Sequence, residues 1–423
     1  MDGLADLLER LLTAEEWRVL RRAGDVADLH GVELYLVGGT VRDLLLGKAP
    51  ADLDLTGVGV DEGFACVLAD GLGGRVVSRS QFVTAHVRAN GVLIDLAMAR
   101  RERYEQPGAL PTVSPAKTVE EDLRRRDFSI NAMGVALSRR RWGLLADPLR
   151  GLDDLERRRI RVLHEQSFVD DATRIFRAVR YSVRMGFALE EDTLGLLKGR
   201  LRFIETIGGE RVWNELERVF MERRAVAMLR MAKELGVLAA VLPALALPSG
   251  ALGTLPSPSK SPDARAKRLL ALVAWPVLPV RMSALRKRLH LSRKMARVVE
   301  DAAAVKELLS ALRARDLRPS RLHGRLEGLD AEAIRAAAIA CGEPAAAHYL
   351  EYYLSELRGV ETLLRGGDLI ELGVPEGPRV GEALRELLAA RLDGLVATRE
   401  DEERFVMRKF HPHLDPPPSR GRM

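Results

Sequence analysis

The sequence predicts an α+β protein: a mixed β-sheet with helices over the first 150 residues, then helices alone to the end. Three observations carry this prediction. Short apolar runs with strand character crowd the first third, at Leu34 to Val37, Leu53 to Leu55 and Val92 to Ala97. Asn90-Gly91 joins two such runs, Phe82 to Arg88 and Val92 to Ala97, and that dipeptide is a strong hairpin-turn signal. From residue 151 onward apolar residues recur at helical spacing, in a chain rich in Ala, Leu and Arg with only 5% aromatics.

Along the first region, Leu4, Leu8, Leu11 and Leu12, then Trp17, Leu20, Ala23 and Val26, predict helices packed outside the sheet. The run Leu34, Tyr35, Leu36, Val37 predicts a strand that breaks on Gly38-Gly39. A short helix over Val41 to Leu46 ends at Gly47, and a second strand carries Asp52 and Asp54 around Leu53. Glu62 to Gly71 reads as a helix, and Gly73-Gly74 turns the chain into Arg75 to Ser78. Residues 100–120 hold three prolines, one glycine and no period, which predicts a long loop, and such loops are often functional lids.

The helical remainder divides at 151–220, 221–340 and 341–423, after a first domain over 1–150. Residues 243–266, rich in proline and small residues, predict an irregular linker or surface loop. Helices are expected over 266–274, 281–314 and 331–365, and a disordered end over the last segment, HPHLDPPPSRGRM.

Composition bounds the function. With 423 residues, 47% hydrophobic and 30% charged, this is an ordinary soluble globular composition with room for more than one core. Lys plus Arg number 66 against 60 Asp plus Glu, a net charge of +6, compatible with a polyanionic partner without requiring one. Two distant cysteines, Cys66 and Cys341, support neither a disulfide framework nor a zinc cluster. The acidic start, MDGLADLLERLL, is no secretory signal, and no apolar run nears the ~18 residues of a membrane span, so a cytoplasmic protein without membrane contact is expected. Oligomeric state has no signature here.

The stretch from Leu34 to Leu55 holds the chemistry. Alternate strand residues share a face, so the carboxylates of Asp52 and Asp54 are expected side by side, roughly 6–7 Å apart along the strand. Like charges that close raise each other's pKa unless a cation lies between them, and Mg²⁺ suits carboxylate and phosphate oxygens together. A Gly-Gly turn at the mouth of a helix lets backbone N–H groups approach a phosphate. Asp95, between apolar neighbours in VLIDLAMAR, needs a partner: either a metal shared with Asp52 and Asp54, or Arg100 or Arg101.

Gly38-Gly39, Arg42-Asp43 and Asp52-x-Asp54 together resemble the signature of polymerase-β-type nucleotidyltransferases, and more closely that of the class II tRNA nucleotidyltransferase and bacterial poly(A) polymerase family. The string RRRDFSINA, with Arg124, Arg125, Arg126, Asp127 and Asn131, resembles the family's second motif. Physically, the arginines face phosphate, Asp127 accepts from a ribose hydroxyl and Asn131 offers an amide. The string Phe168 to Arg180 resembles a third motif, in which Asp171 and Arg174 template the incoming base. Three apart, they are expected on one helix face. The carboxylate accepts an exocyclic amine and the guanidinium donates to the adjacent acceptor, a pattern that adenine and cytosine share and that uracil and guanine reverse. An intrahelical salt bridge is the plainer use of the same pair. Arg177 and Arg180 continue at spacing three, towards the triphosphate.

The resemblance covers 38–180 firmly and, through 366–394, most of the chain. It implies a polymerase-β-like nucleotidyltransferase head over 1–150, an all-α neck with the base template, an all-α body and a tail that binds tRNA. It implies two Mg²⁺ ions on Asp52 and Asp54 with Asp95 as the third carboxylate, phosphates at Gly38, Gly39, Arg42 and Arg126, and the ribose at Asp127 and Asn131. It further implies CTP and ATP as substrates and tRNA as acceptor, gaining CCA or part of it. An A-adding enzyme or a poly(A) polymerase has nearly the same motifs, and an RNA-binding protein with a decayed head is the reading from another class. The 100–120 loop argues against members that add only CC, and the short Pro-rich end argues for tRNA over poly(A) work. Gly208 to Leu216 resembles a neck-stabilising motif, where Glu210 and Arg211 are expected to be structural. In Leu285 to Lys294, Arg286, Lys287, Arg293 and Lys294 form a cationic face, for tRNA backbone or simply solvated.

Overall fold

Leu34, Tyr35, Leu36 and Val37 are all buried, because the strand they form lies in the middle of a sheet covered on both faces. That explains a continuous apolar run where a half-exposed strand would alternate. The computed structural model describes residues 4–79, 84–248, 261–313 and 317–410. The chain forms two compact units, Met1–Val241 and Leu242–Met423.

In the first unit, helices α1 (Leu4–Leu11) and α2 (Ala14–Leu29) are separated by Thr13, whose side chain and that of Glu16 form a reciprocal capping box. Then come β1 (Glu33–Val37), α3 (Gly39–Leu45), β2 (Leu53–Val58), α4 (Phe64–Gly71), β3 (Arg75–Arg79), β4 (Thr84–Ala89) and β5 (Val92–Met98). A hairpin of β6 (Arg100–Arg103) and β7 (Thr112–Pro115) precedes α5 (Val119–Arg124), β8 (Gly134–Ala136) and β9 (Leu145–Ala146). The main sheet runs β3-β4-β5-β2-β1-β8-β9, with β2 and β5 parallel and the other pairs antiparallel. Asn90 and Gly91 both have positive φ, 50° and 82°, as the two-residue turn between β4 and β5 demands.

α2 lies on β1 and β5, close enough that a Cβ on Gly24 would stand 2.0 Å from the Leu137 carbonyl oxygen. On the other face, Tyr35 and Val37 pack with Val119 and Leu123 of α5. This cluster fixes the helix that leads into Arg125 and Arg126. Truncating fully buried Leu123 to Ala is worth about 2–5 kcal/mol.

Helices follow: α6 (Gly151–Glu156), α7 (Ser167–Asp170), α8 (Thr173–Met185), α9 (Glu191–Arg200), α10 (Gly209–Met221), α11 (Ala225–Glu234) and α12 (Val237–Val241). The second unit contains α13 (Pro262–Ala274), α14 (Met282–Leu289), α15 (Arg293–Leu308), α16 (Pro319–Leu326), α17 (Ala331–Ala340), α18 (Pro344–Tyr352), a π-helical turn (Tyr353–Leu357), α19 (Gly366–Glu371), α20 (Pro378–Leu392) and α21 (Arg399–Phe410). Among the described residues no helix is long and apolar enough to cross a membrane.

Three expectations need correction. Residues 100–115 are a β-hairpin rather than a bare loop, because Arg100 and Glu102 pair along β6 and a short ladder with β7 satisfies the backbone. The helix expected over 281–314 breaks at His290, which takes a left-handed φ of 47° before Ser292 caps α15. The stretch 331–365 is likewise interrupted, at Gly342 with φ 67°, and its helical part ends at Leu357. Phe82, Val83, residues 249–260 of the expected linker and the segment 411–423 lie outside the described residues.

Candidate active site

β2 and β5 run in register with Asp54 directly beside Asp95, and β4 sets His86 opposite Asp95. Asp95 meets His86 through Nδ1, while Arg100 is engaged by Glu102 and Arg101 by Glu121. The partner foreseen in Arg100 or Arg101 is thus a histidine on the neighbouring strand. Asp52 sits one residue ahead of β2 and is exposed. Buried Thr40, in the first turn of α3, joins the two acidic positions: its hydroxyl donates to the Asp52 carbonyl at 3.0 Å and accepts from the Asp54 N–H at 3.3 Å. Nothing in the sequence pattern singled out Thr40.

Burial pushes the Asp54 carboxyl above the usual carboxylate range, and the charges of Asp95 and Asp52 push it the same way, against Arg126 and the Thr40 hydroxyl. Among the described residues no three His, Cys, Asp or Glu side chains stand together as a metal cage. The donor chemistry nonetheless fits a hard divalent ion: a cation at Asp54 relieves the crowding of negative charge that raises its pKa.

Gly38 occupies the turn after β1 with φ 71° and ψ −135°, a conformation closed to other residues. A Cβ there would lie 2.8 Å from Nη1 of Arg126. The Gly38 N–H itself donates to the Met133 carbonyl at 3.2 Å, so it is already used within the fold.

A cavity of about 630 Å³ collects most of the remaining candidates: Gly38, Gly39, Arg42, Asp54, Arg126, Asp127, Asn131, Asp171, Arg174 and Arg177. Eight arginines and five carboxylates line it, a surplus that suits a polyphosphate. Its arginines are held in place by other side chains. Arg42 donates to Asn131 Oδ1 at 2.7 Å, Asn131 donates to Asp127 Oδ1 at 3.0 Å, and Arg177 Nε donates to Asp127 Oδ2 at 2.8 Å. Burial raises the Asp127 pKa, but the Arg177 charge and the hydrogen bonds from Asn131 and Arg177 overcome it and hold the carboxyl below its ordinary range. Fully buried Asp122 is likewise pushed up by burial and pulled further down by Arg126 and Arg125.

The two base-facing candidates are not on one helix face. Asp171 lies in extended backbone between α7 and α8, where its Oδ1 accepts from the Thr173 N–H and hydroxyl at 3.0 and 2.7 Å. Such local bonds draw aspartate to helix starts rather than helix interiors. Arg174, 5% exposed, donates from Nη1 to Ser167 Oγ and from Nη2 to the Arg125 carbonyl, both at 2.8 Å. Asp171 pairs not with Arg174 but with Arg211 of α10, at 2.8 Å. Arg211, expected to be only structural, therefore reaches the cavity. Arg180 does not line it: buried at 9% exposure, it faces an adjacent cavity with Asn214 and Arg218, 3.9 Å from Glu215. Exposed Glu210 stays outside both.

Sequence reasoning also passed over Tyr181. Arg42, Arg177 and Arg180 stand 5.5, 5.4 and 5.5 Å from its ring centre, within cation–π range, and Phe128 meets it edge-on. A tyrosine at i+4 from Arg177 was the available signal. Glu102 of β6 and Tyr104 just after it line the cavity as well, with Tyr104 donating to Glu102 at 2.9 Å.

In the second unit, Arg286, Lys287, Arg293 and Lys294 are exposed on α14 and the start of α15. Arg286 pairs with Glu300 at 2.8 Å and Lys294 with Asp263 at 2.6 Å, so half of this cationic face is already neutralised.

A mixed sheet that presents acidic strand residues beside a Gly-Gly turn, roofed by helices sharing its cavity, is the architecture of a nucleotidyltransferase. The family model for the poly(A) polymerase head domain matches residues 34–161, and that for the probable RNA and SrmB-binding site of polymerase A matches 186–247. An A-adding tRNA nucleotidyltransferase of Halalkalibacterium halodurans is 32% identical, over 98% of this chain and 97% of that protein. A CC-adding tRNA nucleotidyltransferase of Deinococcus radiodurans is 33% identical over 92% and 91%. An A-adding tRNA nucleotidyltransferase of Geobacter sulfurreducens is 36% identical over 95% of this chain, which spans about half (48%) of that longer protein. Among solved structures, a CCA-adding enzyme in its apo form superposes with a TM-score of 0.81 at 29% identity, covering 96% of this chain and 98% of that one. The chain belongs to the tRNA nucleotidyltransferase family, and is an RNA nucleotidyltransferase.

Proposed function

We propose that this protein adds nucleotides of the CCA sequence to the 3′ end of tRNA from CTP and ATP, without a nucleic-acid template, in the cytoplasm. The observation that carries the reading is the shared cavity: Asp54, where transfer would occur, and Asp171 and Arg174, which would choose the base, line the same 630 Å³. The hydrogen bonds of Asp171 from Thr173 and Arg211 all fall on Oδ1, which leaves Oδ2 to accept an exocyclic amine. Arg174 spends two of its five N–H donors on Ser167 and Arg125, and the others serve the neighbouring base acceptor. Asp127 keeps further lone pairs for a ribose hydroxyl, with Asn131 beside it. The Gly39 end of the turn, Arg42, Arg126 and Arg177 face the triphosphate, while Arg180, in the adjacent cavity, would lie beyond it.

Nucleotidyltransferases of this family work with divalent metal ions, and Mg²⁺ is the ion proposed here, on Asp52 and Asp54 with Asp95 as a nearby third carboxylate. When bound, it neutralises the triphosphate and lowers the pKa of the RNA 3′-hydroxyl. The protein's own share is orientation: Thr40 fixes the spacing of the two aspartates, and the arginine network excludes rotational freedom before substrate arrives. We assign the head to 1–150, the neck to 151–220, and tRNA binding to the body (221–340) and tail (341–423), with Arg286, Lys287, Arg293 and Lys294 on the RNA backbone.

A narrower reading, addition of the terminal A alone, is favoured by the A-adding relatives and by the Gly108 carbonyl of the 100–115 hairpin reaching Arg211. The test is incubation of the purified protein and Mg²⁺ with tRNAs lacking all of CCA, lacking only the A, or complete, with CTP and ATP separately and together. Full CCA on the shortest tRNA establishes complete addition; a single A on the CC-ending tRNA alone establishes the narrower activity. Long A-tracts on unrelated RNA would replace both with a poly(A) polymerase.

A further inference from the structure

The second unit holds a cavity of about 620 Å³ between α16, α20 and the segment that follows the π-helical turn, with no lining residue in common with the transfer site. His323 of α16 lines it and is 7% exposed, yet among the described residues neither ring nitrogen has a hydrogen-bond partner. Its described ring contact is edge-on to Tyr353, at 5.7 Å. The ring nitrogens are not shut away from the cavity, and a neutral imidazole offers it one donor and one acceptor that no described protein group uses.

The rest of the lining says what that ligand is. Arg365 and Arg385 enter no salt bridge among the described residues, and Arg358 gives one N–H to the Leu329 carbonyl at 3.2 Å and keeps the others. These cations suit a phosphate. Glu327 and Glu361 line the same cavity and offer acceptors, which a bare anion does not use but a base edge with N–H groups does. Leu384 and Leu388 supply an apolar wall of the kind a base or ribose covers. The volume lies in the ordinary range for one small-molecule group.

We propose that this cavity binds a single unstacked nucleotide of the RNA substrate, its phosphate against Arg365 and Arg385 and its base edge at His323. The proposal rests on the tRNA reading above, and adds an RNA contact far along the chain from the residues of the transfer chemistry. A free mononucleotide has the same chemistry, so the test separates the two sources.

The full-length protein carrying Arg365→Gln and Arg385→Gln together is compared with the unaltered protein, both side chains being exposed and outside salt bridges so that folding is kept. Equilibrium binding of labelled tRNA is measured in the absence of nucleotide, alongside KM for tRNA, KM for ATP and kcat. The expected result is a rise of about 10-fold in tRNA Kd and KM, as two phosphate contacts are lost, with kcat and KM for ATP unmoved. His323→Phe, which keeps the volume and removes the nitrogens, is expected to weaken tRNA in the same way. An unchanged tRNA Kd in the double variant overturns the proposal, whatever His323→Phe does. Calorimetry with AMP and CMP distinguishes the sources: binding of a free mononucleotide that the double variant abolishes, with tRNA affinity unmoved, replaces the proposal with a mononucleotide site. If the unaltered protein binds tRNA but transfers nothing, the transfer reading fails while the binding comparison still decides the cavity.

Discussion

Arg211 and Asp171, 40 residues apart, are joined by a bond of 2.8 Å from Nη2 to Oδ1, while Nη1 of the same arginine holds the Gly108 carbonyl at 3.0 Å. One guanidinium thus orients the carboxylate proposed to face the base and ties it to the tip of the β6–β7 hairpin. Arg211→Ala is expected to raise misincorporation of UMP and GMP relative to AMP by about 10-fold or more, since a misplaced group of this kind costs up to ~10² in rate. Arg211→Lys should restore part of the selectivity. Discrimination ratios from competing nucleotides check this, and an equal fall for all four nucleotides would reassign Arg211 to a purely structural role.

Arg177 holds the buried carboxylate of Asp127 in its ionised form. Arg177→Met leaves that charge uncompensated and is expected to cost about 3–5 kcal/mol in urea unfolding. Because the folded Asp127 pKa lies below its unfolded value, its contribution to stability is fully present above about pH 4 and is lost as the pH falls through the folded pKa. The double variant Asp127→Asn with Arg177→Met should recover stability over the single one and lose its share of this acid dependence, as unfolding curves taken from pH 7 to 3 will show.

Asp54 has the opposite sign. Its folded pKa is raised, so the ionised carboxylate destabilises the metal-free protein at neutral pH. Asp54→Asn is therefore predicted to raise the Tm of the metal-free protein slightly. It should also abolish any Mg²⁺-dependent rise in Tm and reduce transfer at least ~10²-fold, the ion's charge neutralisation being worth several kcal/mol. A Mg²⁺ shift that survives the substitution would place the metal elsewhere.

Gly38→Ala strains a φ of 71° and drives a methyl towards Arg126 Nη1. About 1–3 kcal/mol of stability is expected to go, and with it most of the affinity for nucleotide. Thermal unfolding together with KM for ATP reads both.

Much of this was legible in the sequence because it was local. The run Leu34 to Val37, the Gly-Gly break, the Asn90-Gly91 turn and the Asp54 strand each declare themselves within a few residues. What escaped depends on partners distant in the chain. Asp171 looked like the mate of Arg174 at helical spacing, but the bonds it accepts from Thr173 hold it ahead of α8, and Arg211 pairs with it from 40 residues away. Arg180 continues the spacing of Arg174 and Arg177, yet turns to Glu215 because successive threes drift round an α-helix. The break at His290 needs a left-handed residue that hydrophobic period alone does not mark.

The shared cavity has a consequence for descent. Asp54 comes from a strand complete by residue 58, whereas the groups proposed to face the base arrive after residue 167, Asp171 between α7 and α8, Arg174 on α8 and Arg211 on α10. Under the proposed roles, bond formation and the choice of letter rest on separate stretches of the chain. On that assignment a change in the later stretch, or in the hairpin that touches it, alters which nucleotide is written and leaves the strand that makes the bond as it is.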